Sequence, residues 1–357
     1  MSVWTGLRGH TLQREMFRRA VSRGRLSQSY LFVGPDGIGK KLFARQLANC
    51  LLCREPGDEL EACGECASCR PFLAGNHPDF LFIERPEGKR ELPIDLIAGS
   101  KERRGQEGLC HDLSLRPLEG SRKIAIVNDA DTMTEESANA FLKTLEEPPE
   151  RAMLILVASN LDAVMPTIRS RCQLVRFSPL PITDIEELLI ELGLVTSADE
   201  ARFASTLSEG SLTIARQLLR PELRGLRTTL YSALSEGTFG GLSLAKTLLE
   251  AIDSISSDTP EQRVHAHWLI RFAVEYYRSA LRGLSQDDST SDTGAIREAQ
   301  NWAHSLTNRA EPLELIGTLI ERAIEAAGHI EQNVPVPLAL ETMVSDLARM
   351  SRPVSSR

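Results

Sequence analysis

A short apolar run, Tyr30 to Val33, opens directly into Gly34-Pro35-Asp36-Gly37-Ile38-Gly39-Lys40-Lys41, and this junction restricts the fold more than any other feature of the chain. The pattern G-x4-G-K after a strand is a phosphate loop. Its glycines let backbone N–H groups turn inward on an anion, the following helix offers its positive end, and Lys40 reaches the terminal phosphates. Gly34, Gly37, Gly39, Lys40 and Lys41 are therefore the candidate nucleotide-binding residues. The last element of the pattern is missing, because Lys41 stands where a Ser or Thr hydroxyl would hold magnesium, and a second ammonium there repels the metal.

Four further runs are short, apolar and bounded by polar or turn residues: Phe80 to Ile83, Lys123 to Val127, Met153 to Ala158 and Leu174 to Phe177. They read as strands of a buried parallel sheet. The clearest helix between them is Thr134 to Glu147. Thr134 is placed to cap it, Glu135 and Glu136 suit its positive end, and Ala138, Phe141, Leu142 and Leu145 fall on one face. Pro148 and Pro149 stop it. After Pro179 and Pro181 the pattern turns to short amphipathic helices as far as Arg220, then to longer helices up to Met350, with Pro221 as a joint. The polar segment 285–294 reads as an exposed loop. The expected architecture is an α/β phosphate-loop domain over 1–179 with an inserted module at 50–70, a small helical domain at 180–222, and an all-α domain from 223 to 357.

The strand Lys123 to Val127 ends in Asn128-Asp129-Ala130-Asp131, where a nucleotide hydrolase needs a strand-end Asp followed by Glu. Asn128 lacks the charge that steadies magnesium, and Asp129 is one methylene short as a water-activating base. Both losses point away from turnover in this chain. Two states of the loop stay open at this stage: ATP or ADP bound without turnover, and no nucleotide at all.

Cys53, Cys63, Cys66 and Cys69 follow the phosphate-loop helix in the spacing C-x9-C-x2-C-x2-C. Thiolates are soft, anionic ligands, and two C-x2-C turns wrap one tetrahedral ion, so the set reads as a structural Zn²⁺ site with no position left for water. Cys50, one turn earlier on the helix, is an alternative ligand to Cys53. Cys110 and Cys172 read as ordinary thiols.

A net charge of -8 argues against a chain that coats nucleic acid unaided. Lys101, Arg103 and Arg104 are the local basic positions where DNA contact would fall. No apolar stretch reaches the roughly 18 residues of a membrane span, and the N-terminus lacks a hydrophobic export segment, so a cytoplasmic protein is expected.

The run Asn139-Ala140-Phe141-Leu142-Lys143-Thr144-Leu145-Glu146-Glu147-Pro148-Pro149, the triplet Ser170-Arg171-Cys172 and the opening Leu26-Ser27-Gln28-Ser29-Tyr30-Leu31-Phe32-Val33-Gly34 together resemble the delta-prime family of bacterial DNA polymerase III clamp-loader subunits, within the AAA+ superfamily. The likeness is strong over about the first 180 residues. It implies an AAA+ module, a helical lid and a C-terminal helical collar that joins subunits, with the cysteine module where bacterial loader subunits carry zinc. It further implies a stator in a hetero-pentamer with delta and gamma/tau-type subunits, acting with them on the sliding clamp and primed DNA. Arg171 would then be an arginine finger completing a neighbour's ATPase site. The alternative within the family is an ATP-hydrolysing gamma/tau-type motor subunit. Such a subunit needs an intact phosphate loop, an acidic strand end and a lid arginine, where this chain has Thr213, with Arg216 one turn later. The collar faces implied by the likeness include Leu313, Leu315, Ile316, Leu319 and Ile320.

Overall fold

The computed structural model describes residues 4, 7–57, 60–284, 294–306 and 311–351, with the backbone alone for 294–297. The chain forms two compact units, residues 1–192 with 208–214 and residues 193–207 with 215–357.

The first unit is built on five parallel strands, β1 (Ser29–Val33), β2 (Phe80–Ile83), β3 (Lys123–Val127), β4 (Ala152–Ala158) and β5 (Gln173–Arg176), in the order β2-β3-β4-β1-β5. Each strand run expected from sequence is present, shifted by a residue at most. Tyr30 pairs with Ile155 on one side and Gln173 on the other, so β1 is interior and its residues are buried throughout. That explains the continuous apolar runs: helices cover both faces, and no alternation with polar residues is needed.

Odd and even positions feed different cores. Tyr30, Phe32, Ile124, Ile126, Ile155 and Val157 pack with Phe17 of α1 (Thr11–Ser22) and with Phe43, Ala44 and Leu47 of α2 (Lys40–Leu52). The cysteine module lies against this same layer through Cys53, Leu60, Cys69 and Phe72, the last two on α3 (Cys69–Leu73). Leu31, Val33, Ala125, Val127, Leu154 and Leu156 face the other way. They meet α4 (Ile94–Ala98), α5 (Leu109–Ser114), α6 (Glu135–Glu146) and α7 (Pro166–Arg169). α6 starts as expected, with the Thr134 hydroxyl accepting from Ser137 N at 3.1 Å.

Asp79, at the entry to β2, is fully buried and accepts from the backbone N–H groups of Leu118, Glu119 and Gly120 at 2.6, 2.8 and 2.7 Å. Burial opposes its charge, but those three donors outweigh it and hold its pKa below the usual carboxylate value. Asp79→Ala removes three charge-assisted hydrogen bonds to a buried carboxylate and is expected to cost about 3 kcal/mol, read as a lower urea midpoint at unchanged m. Because the folded pKa is the lower one, the stability from Asp79 is complete above the unfolded value near 3.9. It is lost as pH falls below about 4, a loss the alanine variant should not show.

α8 (Ile182–Glu191) and the segment Ser208–Ile214 belong to the first unit, whereas α9 (Ala198–Leu207) belongs to the second. Residues 208–214 take in the start of α10 (Leu212–Leu218). The second unit continues through α11 (Pro221–Ser235), α12 (Gly241–Ile255), α13 (Thr259–Leu284), α14 (Gly294–Ser305), α15 (Pro312–Glu331) and α16 (Val336–Ser351). Pro221 opens α11 at a position that needs no N–H. Tyr276 of α13 packs edge-on against Tyr231 at 5.1 Å and Tyr277 at 5.5 Å, and Trp302 of α14 lies 5.5 Å from Tyr277. On α15, Ile316 and Leu319 are core residues, while Leu313 is exposed. The loop expected at 285–294 lies outside the described residues up to 293. Among the described residues no helix is long and apolar enough to cross a membrane.

Candidate functional site

Carboxyl ends of β1, β3, β4 and β5 converge where the phosphate loop leaves β1, the usual place for a ligand in an open parallel sheet. Gly34 is required there because a Cβ would sit 2.3 Å from the Phe177 carbonyl oxygen. Gly37 has φ 75°, and a Cβ on it would fall 2.2 Å from Ser211 Oγ and 2.7 Å from Thr213 Cβ. Leu212 N also donates to Gly37 O at 3.0 Å, so the Ser211-Leu212-Thr213 turn sits directly on the loop. Gly39 is left-handed at φ 98° and begins α2.

Lys40 is buried, and its ammonium donates to Gly34 O and Pro35 O, each at 2.6 Å. Burial lowers its pKa, against the opposing pull of Asp36, Asp131 and Asp129. Lys41 points elsewhere: its ammonium pairs with Glu84 and lies 4.8 Å from the centre of the Phe82 ring. The charge repulsion expected at the magnesium position is thus largely answered by Glu84, and the missing hydroxyl is the remaining defect. His10, which gave no sequence signal, fixes the loop from outside. Its Nε2 lies 2.7 Å from Ile38 O, a carbonyl that only accepts, so Nε2 carries the proton. Burial keeps the His10 pKa low.

At the end of β3, Asn128 N donates to Ile83 O at 2.9 Å. Asp129 adopts a left-handed backbone at φ 56°, and burial raises its pKa while Arg85 pulls it down. Asp131 is a brace, since one of its carboxylate oxygens accepts from Ser159 N at 2.9 Å, Ser159 Oγ at 2.5 Å and Asn160 N at 2.9 Å. These bonds tie the turn after β4 to the turn after β3.

Arg171 lies just after α7, away from Lys40 in sequence and half-exposed, with 32% of its side chain accessible. Its Nη1 donates to Thr167 O at 2.9 Å and Ser170 Oγ at 3.1 Å. Its Nε and Nη2 both reach Glu146 Oε1, at 3.0 and 2.5 Å. Glu146 ends α6, where a carboxylate meets the negative helix end and a cation offsets that cost.

The four cysteines come together as the spacing required. All four sulfurs lie within 4.8 Å of one another, with Cys53–Cys63 at 3.6 Å, Cys53–Cys66 at 4.0 Å and Cys63–Cys69 at 3.9 Å. Sulfurs about 2.3 Å from one tetrahedral ion would be roughly 3.8 Å apart, whereas a disulfide needs about 2.05 Å. Backbone N–H groups of Cys63, Cys66 and Cys69 point at the sulfurs of Cys53, Cys63 and Cys66, at 3.4, 3.3 and 3.4 Å. Such donors favour thiolates. Burial opposes the charge on Cys66, but the N–H groups of Arg54, Cys69 and Ser68 hold its thiol down to about 6. Burial pushes Cys53 and Cys69 up, a cost that a bound cation would reverse. Cys50 is outside the cluster: its thiol donates to Leu60 O at 2.9 Å, and burial lifts it to about 12. The quartet is therefore able to hold a metal ion without it.

Of the basic positions, Arg103 pairs with Glu107 at 3.8 Å and Arg104 with Glu136 at 3.6 Å, while Lys101 is exposed. The nearby triad-like set Ser68, His77 and Asp79 is structural. His77 Nδ1 accepts from Asp79 N at 3.1 Å, so Nε2 donates to Ser68 Oγ at 2.9 Å, leaving no base to activate the hydroxyl.

A family model described as "DNA polymerase III, delta subunit" matches residues 9–181. The chain is 36% identical over 177 residues to DNA polymerase III subunit delta' of Bacillus subtilis, covering 50% of each protein. It is 31% identical over 255 residues to the protein of the same name from Yersinia pestis, covering 70% of this chain and 69% of that one. To the Escherichia coli protein of that name it is 27% identical over 278 residues, 78% of each. The chain thus spans about half the length of the Bacillus relative and more than two thirds of the other two.

Proposed function

The chain belongs to the DNA polymerase III delta' family, and we propose that it serves in the clamp loader as a stator that lends an arginine to a neighbouring ATPase subunit and hydrolyses no ATP itself. One contrast carries the reading. Lys40 is engaged by the loop's own carbonyls, whereas Arg171 stands at the surface on a separate turn. The absence of a magnesium hydroxyl at Lys41 and of the Asp-Glu pair at Asn128-Asp129 supports the same division.

In this role Arg171 meets the γ-phosphate of ATP held by a gamma/tau-type subunit, where it stabilises charge that builds in the transition state. Magnesium and the water-activating acid belong to that neighbour. ATP or ADP in this chain's own loop would have to draw the Lys40 ammonium from the Gly34 and Pro35 carbonyls. In this reading the AAA+ module, lid and collar take up 1–179, 180–222 and 223–357, with the lid's residues divided between the two compact units. The collar joins delta and gamma/tau-type subunits into a hetero-pentamer that opens the sliding clamp and sets it on primed DNA in the cytoplasm. Cys53, Cys63, Cys66 and Cys69 hold one structural zinc, which fills its shell with sulfur and supplies no chemistry.

Reconstitution tests the role. Mixed with DNA polymerase III delta and gamma/tau-type subunits, the chain is expected to co-elute with them, and DNA-stimulated ATP turnover should depend on its presence. A complex that forms and turns over at full rate without it would refute the stator role.

A further inference from the structure

The way Glu146 holds Arg171 carries an inference that rests on the trans-arginine reading and deepens it. Both Nε–H and Nη2–H converge on one oxygen, Oε1. A guanidinium is strongest when its two parallel N–H groups meet two separate oxygens, and this pair does not reach that geometry. A phosphate, with three equatorial oxygens, offers the better match to the same edge. The other side of the guanidinium is held independently, by Thr167 O and Ser170 Oγ on Nη1. Those two anchors lie on the turn that carries Arg171 and would persist when the Nε/Nη2 edge changes partner. Glu146, in contrast, ends α6 and has 49% of its side chain exposed.

We propose that Glu146 is a positioning residue that occupies the phosphate-binding edge of Arg171 until a neighbour's γ-phosphate displaces it. The carboxylate shields the arginine from other surface anions, and the exchange sets a small barrier that each catalytic contact must cross. ATP binds through the neighbour's own loop, and the arginine contact strengthens in the transition state, so the exchange enters kcat and leaves KM alone.

The test uses the reconstituted loader carrying this chain as wild type, Glu146→Gln, Arg171→Ala or both. Glu146→Gln is expected to raise kcat about two- to five-fold, the span of an exposed ion pair, with KM unchanged. The gain should shrink in high salt, which screens the pair, and should vanish in the Arg171→Ala background. An unchanged or lower kcat for Glu146→Gln, while Arg171→Ala remains strongly impaired, overturns the proposal and leaves the arginine reading standing. If Arg171→Ala itself leaves the rate unaltered, the arginine reading fails, and the proposal falls with it.

Discussion

In a loader assembled with an Arg171→Ala chain, ATP turnover at the adjoining site is expected to fall about 10³-fold or more, the effect of removing an arginine supplied in trans. The fall should appear in kcat/KM and in kcat together, because the contact strengthens only as the phosphoryl group transfers. Fold and assembly should survive. The guanidinium packs at the surface, its partner Glu146 is half-exposed, and exposed ion pairs are worth about 0 to 1 kcal/mol. Circular dichroism and co-elution with the partner subunits check that condition. Arg171→Lys should recover little, since an ammonium lacks the planar fork that fits a phosphate.

Loss of the metal proposed for the cysteine quartet is expected to be the second large effect. Purified chain is expected to hold one zinc, and Cys66→Ser to hold close to none. Cys50→Ala should keep the metal, because that thiol donates to Leu60 O outside the quartet. Structural zinc contributes on the order of 10 kcal/mol in small zinc-finger peptides, and even a fraction of that is large against the roughly 5–15 kcal/mol of a typical domain. The damage should be local. Cys53 and Cys69 are part of the same core layer as Phe43 and Leu47, yet β3 and β4 have a second core on their far face. Chelation should therefore abolish amide protection from Cys53 to Leu73 while β3 and β4 stay protected. Protein made without added zinc that carries well under one ion per chain, with those amides still protected, would contradict the assignment.

What was legible in the chain, and what was not, divides by the range of the interactions. Buried strands declare themselves as uninterrupted apolar runs, Thr134 announces its helix by capping chemistry, and the cysteine spacing forecasts a cluster that the fold does form. All of these are local signals. The contacts that govern the site join residues far apart in sequence. Ser211 against Gly37, Glu84 with Lys41, Asp131 bracing Ser159, and Glu146 with Arg171 leave no periodicity or motif behind. His10 was missed for the same reason, since one histidine in a polar opening segment says nothing of the carbonyl it will meet 28 residues later. Lys41 shows how a local reading falls short: the residue type speaks of a missing hydroxyl, but the acid that pairs with its ammonium comes from the end of β2.

ATP hydrolysis by the purified chain alone, with magnesium and primed DNA present, bears most directly on the division of labour between this subunit and its neighbour. The expected result is a rate indistinguishable from background, unchanged by Lys40→Ala. Sustained turnover by the isolated chain that Lys40→Ala abolishes would make it a motor in its own right and contradict the stator role.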